Sequence, residues 1–156
     1  MEASKKRFEE LLGELELSWS SSDGEDGLAL YNIVIDAEND LELTAVMYGS
    51  EPDEEGVDHE DEEFYVRLLA YVDELSVDTP LDQLSLLMKL NCELPNGAYC
   101  MNPVDNVIYA TMNIPVSDLS VESLDWAMDF LLDCQSIFFY EYYGDEDGGG
   151  NGGAQA

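Results

Sequence analysis

Ala98-Tyr99-Cys100-Met101, Asn102-Pro103-Val104-Asp105-Asn106, Val107-Ile108-Tyr109-Ala110-Thr111-Met112-Asn113-Ile114-Pro115: this stretch decides the fold. Two runs of aromatic and β-branched residues flank a break rich in Asn, Asp and Pro, which is the pattern of a β-hairpin. Val116 to Ser120 then leads into an apolar helical pattern from Val121 to about Tyr143. Ser120 stands where an N-cap side chain accepts from the first free backbone amides, and Glu122 and Asp125 sit where the helix dipole favours negative charge. Leu124, Ala127, Leu131, Cys134 and Phe138 make one stripe at 3.6-residue spacing, and Trp126, Phe130 and Ile137 make a second. Two stripes exceed what packing on one sheet face needs, so the second reads either as a broad core face or as a groove or dimer surface.

Upstream of the hairpin, Thr79-Pro80-Leu81-Asp82 opens a helix. Thr79 is the expected N-cap, Pro80 suits the first turn, and Asp82 completes a pattern like a capping box. Its expected buried side carries Leu81, Leu84, Leu87, Met88 and Asn91, and Pro95-Asn96-Gly97 stops it near Leu94. Before it, Glu63 to Val72 alternates with period two. Phe64, Val66, Leu68, Ala70 and Val72 fall on one face, and Tyr65, Arg67, Leu69 and Tyr71 on the other, which leaves the second face unusually apolar. Leu28 to Asp36 and Leu41 to Tyr48 read as two further strands. Ser4 to Leu17 reads as a first helix with Phe8, Leu11, Leu12 and Leu15 in one stripe, and Ser18 to Gly27 as a loop around its Ser-Asp-Gly cluster. The expected order is α-β-β-β-α-β-β-α. It makes one α+β domain over residues 1–143, with an antiparallel sheet flanked by helices, followed by a disordered Gly-rich acidic tail over 144–156.

Charge dominates the composition. Thirty-six Asp and Glu against five Lys and Arg give a net charge of −31. Such a surface repels nucleic-acid phosphate and anionic membranes and favours a basic partner. Between Glu51 and Glu63 nine of the thirteen residues are acidic, which suggests a mobile, self-repelling loop insertion. The calcium-loop pattern with its fixed glycine is absent there, so no metal site is assigned. No apolar run reaches membrane-spanning length, and acidic residues rather than an apolar segment follow Lys5-Lys6-Arg7, so neither a membrane span nor a signal peptide is expected. Cys92, Cys100 and Cys134 form no C-x-x-C pair, which points to reduced thiols and a cytoplasmic location, with Cys100 and Cys134 as packing residues.

No catalytic constellation emerges. His59 is the single histidine and lies inside the acidic run. Gly148-Gly149-Gly150 follows a helix instead of opening one, and no lysine is near it, so it is no phosphate loop. Carboxylate pairs are expected by chance in so acidic a chain. The expectation is a non-enzymatic protein without cofactor.

The order of elements resembles the class I type III secretion chaperones (the Tir-chaperone family) and the related YbjN-like domains. Four segments carry the resemblance: Leu86-Leu87-Met88-Lys89-Leu90-Asn91, Gly97-Ala98-Tyr99-Cys100-Met101-Asn102, Val107 to Pro115, and Leu119-Ser120-Val121-Glu122-Ser123-Leu124. It covers residues 5–143 in element order and about 85–135 in residues. The acidic insertion and the Gly-rich tail depart from the chaperone pattern. The resemblance implies a homodimer that holds an extended, non-globular client segment; the role of the YbjN-like branch is less defined. Phe8, Leu12, Tyr65, Leu69 and Tyr71 are the candidate client-binding residues, and Trp126, Phe130 and Ile137 the candidate dimer or groove residues. The expected partner is a protein, basic or partly unfolded. The rival reading is an acidic nucleic-acid mimic that blocks a DNA-binding protein, and a third is a regulatory binding module.

Overall fold

The structure is a computed structural model and describes residues 1–49 and 63–144. The acidic run and the Gly-rich tail fall outside the described residues except for Glu63 and Gly144, and His59 lies outside them too. Nine regular elements follow in order: α1 (Glu2–Glu14), β1 (Ser18–Asp23), β2 (Ala29–Asp36), β3 (Leu41–Gly49), β4 (Phe64–Glu74), α2 (Pro80–Glu93), β5 (Ala98–Met101), β6 (Val107–Pro115) and α3 (Val121–Tyr143). The strands form one antiparallel sheet in the order β1-β2-β3-β4-β6-β5.

This is the expected α+β class with one strand more. Ser18 to Asp23 is not loop but the edge strand β1, paired with β2 from Ser18–Val34 to Asp23–Ala29. Serine has little strand preference of its own; the hairpin makes this strand. A turn of 3-10 helix over Glu25–Gly27 closes it, with Asp26 and Gly27 at positive φ and the Gly24 N–H donating to the Leu28 carbonyl at 2.8 Å.

One face of the sheet carries the core. Tyr31, Ile33, Leu43, Met47, Val66, Leu68, Ile108 and Ala110 point into it and meet Phe8, Leu11 and Leu12 of α1 and Leu124, Leu131, Cys134 and Phe138 of α3. Period two on the strands and 3.6 on the helices place these side chains together. The first α3 stripe is therefore the core stripe, and it is fixed at its start by a reciprocal cap. Ser120 Oγ accepts from the Ser123 N–H at 3.1 Å, and Ser123 Oγ accepts from the Ser120 N–H at 2.9 Å. The Tyr99 hydroxyl donates to the Cys134 carbonyl at 2.6 Å, tying β5 to α3 inside the core.

α2 differs from its expected orientation. Its buried residues are Gln83, Leu87 and Leu90, while Leu81 and Met88 are about three-quarters exposed at 74% and 73%. The helix lies beside β5 and α3 at the sheet's end, so only a narrow side of it meets the core. Thr79 occupies the N-cap position, but its side chain makes no cap bond; its Oγ1 meets the Tyr142 hydroxyl at 2.6 Å. Gln83 holds the approach to α2 instead. It accepts from the Ser76 N–H and donates to the Glu74 carbonyl at 3.1 Å, which satisfies a side chain that is only 1% exposed. Cys134 packs in the core as expected, whereas Cys100 is exposed.

Candidate functional site

Among the described residues, the surfaces that bear on the candidate residues are the face of the sheet away from the helices, its two edges, and the flank of α3.

The open face carries the second residue set of β4. Tyr65, Leu69 and Tyr71 stand on it in one row with Arg67 between them, as their alternation requires. Tyr65 stacks on Tyr48 of β3 with ring centroids 5.7 Å apart, and the Arg67 guanidinium lies 5.3 Å from the centre of the Tyr48 ring. Arg67 Nε also donates to Asn113 Oδ1 at 2.8 Å. Tyr71 meets Tyr109 of β6 edge-on, and Leu69 pairs with Thr44 on one side and Thr111 on the other. Burial near acidic neighbours, chiefly Glu74, raises the Tyr71 pKa, and the Glu63 carboxylate that accepts from Tyr65 raises that of Tyr65. These tyrosines are neutral donors at physiological pH.

Phe8 and Leu12 do not join this surface. Both are 0% exposed and face the sheet from α1. Their stripe is the α1 core stripe, so they are corrected from client-binding to core residues. Phe8 meets Tyr31 edge-on at 5.1 Å.

The two sheet edges differ. In an antiparallel ladder, residues alternate between bonding to the neighbour strand and pointing their N–H and C=O away from it. At β5 the Asn102 N–H bonds to the Val107 carbonyl at 2.9 Å, which puts Cys100–Tyr109 and Ala98–Thr111 among the bonded pairs and turns Tyr99 outward. Asn91 of α2 closes that position. Its Oδ1 accepts from the Tyr99 N–H at 2.7 Å, and its Nδ2 donates to the Tyr99 carbonyl at 3.1 Å. A side-chain amide thus stands in for a neighbouring strand.

At β1 the Gly24–Leu28 bond sets the same alternation. Ser22, Ser20 and Ser18 bond to β2, and Trp19, Ser21 and Asp23 turn their backbone groups outward. Among the described residues, nothing bonds to these outward groups. All six residues of β1 are exposed. Sheet edges are usually blunted by a lysine, a proline or a bulge, and β1 has none of these. Leu17 to Ser22 carries no charge, whereas Glu14 and Glu16 precede it and Asp23, Glu25 and Asp26 follow.

A cleft of about 170 Å³ adjoins this edge, lined by Lys5, Glu9, Ser21, Ser22, Asp23, Ala29 and Tyr31. Lys5 Nζ donates to Asp23 Oδ1 at 2.9 Å, which holds the Asp23 carboxyl below its usual pKa and lifts Lys5 above its own. The Tyr31 hydroxyl donates to Glu9 at 3.1 Å, and burial, reinforced by this bond, pushes its pKa up.

Of the α3 residues singled out by their spacing, Trp126 and Phe130 stack with centroids 5.3 Å apart, and Trp126 is 50% exposed. Trp126 borders a second cleft of about 470 Å³, lined also by Asn96, Gly97, Ala98, Thr111, Met112 and Asn113. Gly97 permits this closeness. It has φ +68, and a Cβ there would lie 2.7 Å from the Thr111 carbonyl oxygen and 3.3 Å from the Phe130 ring. Ile137, three turns along and 43% exposed, is not among the residues lining that cleft. The β1 edge was not legible as a site because a serine run looks like a breaker; the absence of Gly and Pro between Ser18 and Asp23 is the one sequence signal for it.

Among the described residues, no helix is long and apolar enough to cross a membrane. No protein-family model matches the chain, and no curated protein matches it. Among solved structures, the chain is similar to one described as "Structure of the HopA1-SchA Chaperone-Effector Complex". The match has 19% identity and a TM-score of 0.55, and covers 86% of this chain and 91% of that one. At this identity the match shows a shared α+β fold.

Proposed function

We propose that this protein is a non-enzymatic, chaperone-like binding module that holds an extended segment of a client protein as an added strand on β1. The observation that supports this most is the unguarded edge. Trp19, Ser21 and Asp23 each offer one outward N–H and one outward C=O, in line and exposed. The opposite edge is closed at Tyr99 by Asn91, so β1 is the longer run of open positions. The shared fold with a chain of a chaperone–effector complex agrees with this role.

Charge selects the occupant. Two copies of β1 laid antiparallel would bring Glu14 and Glu16 of one beside Asp23 and Glu25 of the other, and like charges across strands destabilise pairing. A segment neutral in its middle and basic at its ends meets the neutral run and both acidic flanks. The apolar row Tyr65, Leu69 and Tyr71 gives the rest of the client a second surface. The test is to purify the complex of tagged protein and client from cells and map the segment protected from protease. The expected result is one protected extended segment, which Ser21→Pro releases. A folded DNA-binding protein that salt strips from wild type and Ser21→Pro alike would replace this reading with nucleic-acid mimicry.

A further inference from the structure

The cleft beside Trp126 lies at the opposite end of the sheet from β1. β5 pairs with β6 only from Ile108 to Thr111, so β6 runs on past the start of β5. On that unpaired part the alternation that aims Tyr109 and Thr111 at β5 also aims the N–H and C=O of Asn113 to the same side. Asn113 lines the cleft, and among the described residues nothing bonds to these two backbone groups. Its side chain is already engaged by Arg67.

Trp126 forms the cleft's aromatic wall. One ring face is covered by Phe130 at an interplanar angle of 18°, and the residue keeps half its surface exposed. Glu122 and Asp129, both exposed, neighbour it on α3 at i−4 and i+3. An exposed indole flanked by two carboxylates favours a cation over its face. The fold already uses this contact once, where Arg67 lies over Tyr48.

We infer that this cleft takes an arginine or lysine of an extended segment, with the cation against Trp126 and the segment's backbone paired to Asn113. The inference rests on reading the protein as a holder of extended segments, but not on β1. A second copy of this chain is the less fitting occupant, because so acidic a chain would bring further carboxylates beside Glu122 and Asp129.

Trp19 and Trp126 are the two tryptophans, so Trp19→Phe makes Trp126 the single indole reporter. The probe is a capped peptide, Thr-Val-Arg-Val-Thr, titrated while indole fluorescence is read. The expected result is a saturable change that weakens with salt. Affinity should fall about tenfold when norleucine replaces arginine, and similarly when the backbone nitrogen that donates to the Asn113 carbonyl is methylated. Combining Trp19→Phe with Ser21→Pro, which blocks β1, should leave the signal unchanged; loss there with retention in Trp19→Phe alone would assign the peptide to β1 and overturn the seat. Equal binding of the norleucine peptide, or undiminished calorimetric binding to Trp126→Ala, would also overturn it. If Trp126→Ala does not fold, Trp126→Leu keeps the bulk without the π face and carries the same reading. A dimer by sedimentation that Trp126→Ala converts to monomer would assign the surface to a second copy.

Discussion

Ser21→Pro and Ser20→Pro differ by one position on β1 and should behave oppositely. Ser21 lies opposite Tyr31 in a pair that does not bond across to β2, so its N–H points out of the sheet. Proline there removes no ladder bond, and edge strands accept proline at such positions. Stability should change by less than about 1 kcal/mol, the loss partly offset by a stiffer unfolded chain. Ser20 lies opposite Asn32 and bonds to β2. Proline there deletes that bond and crowds the neighbour strand, at a cost of about 3 kcal/mol, or roughly 6–12 °C in melting temperature for a domain of this size. For binding, the order reverses. The Ser21 proline removes one of the three outward donors, and its ring blocks the carbonyl that would approach it. That is one lost bond, at about 1 kcal/mol or roughly fivefold in Kd, and the clash of the ring with the carbonyl weakens binding further. Thermal melts and calorimetry with a peptide of alternating valine and threonine, lysine at both ends, read both quantities. Equal destabilisation by the two prolines would refute the alternation, and unchanged affinity in Ser21→Pro would refute the edge as binding site.

Other consequences follow from single contacts. Leu69→Asp puts a charge in the middle of the open face and should abolish client capture while the circular dichroism of the sheet persists; unfolding or unchanged capture would count against that face. Thr111 Oγ1 is buried with no partner among the described residues, so the isosteric Thr111→Val should stabilise by about 1 kcal/mol in urea titration, and destabilisation would show that the hydroxyl is bonded. The Tyr143 hydroxyl donates to the Asp73 carboxylate, which lifts its pKa from 10.0 to about 12. Since the folded value is raised, this contribution is whole below pH 10 and disappears as pH climbs from 10 to 12. Asp73→Asn should return the phenolate titration of Tyr143 toward its ordinary range, and an unmoved titration would remove Asp73 as the cause.

The parts that could be read from the sequence are those whose burial has a simple period. β4 alternates without interruption, so its spacing alone separates its two faces residue by residue, and the 3.6-residue spacing from Leu124 to Phe138 marks the core stripe of α3. Phe8 and Leu12 show the limit of that logic. Their spacing defines an apolar stripe but not which apolar surface it meets, and the sheet claims it. Leu81 and Met88 fail for the converse reason: α2 lies at the sheet's end, where a narrow contact leaves much of its apolar surface outside. β1 is set by pairing with β2 against the weak preference of four serines, and the closing of Tyr99 by Asn91 depends on a helix meeting a strand edge. Neither leaves a local pattern to read.

Residue-resolved hydrogen exchange along β1, with and without the lysine-ended peptide, tests the central claim most directly. In the free protein, Ser18, Ser20 and Ser22 should be protected by β2, while Trp19, Ser21 and Asp23 exchange fast. If the edge takes an added strand, the bound protein should gain protection at Trp19, Ser21 and Asp23 and so lose the alternation. If these three amides still exchange fast at saturating peptide, the client does not sit on β1, and the account is contradicted.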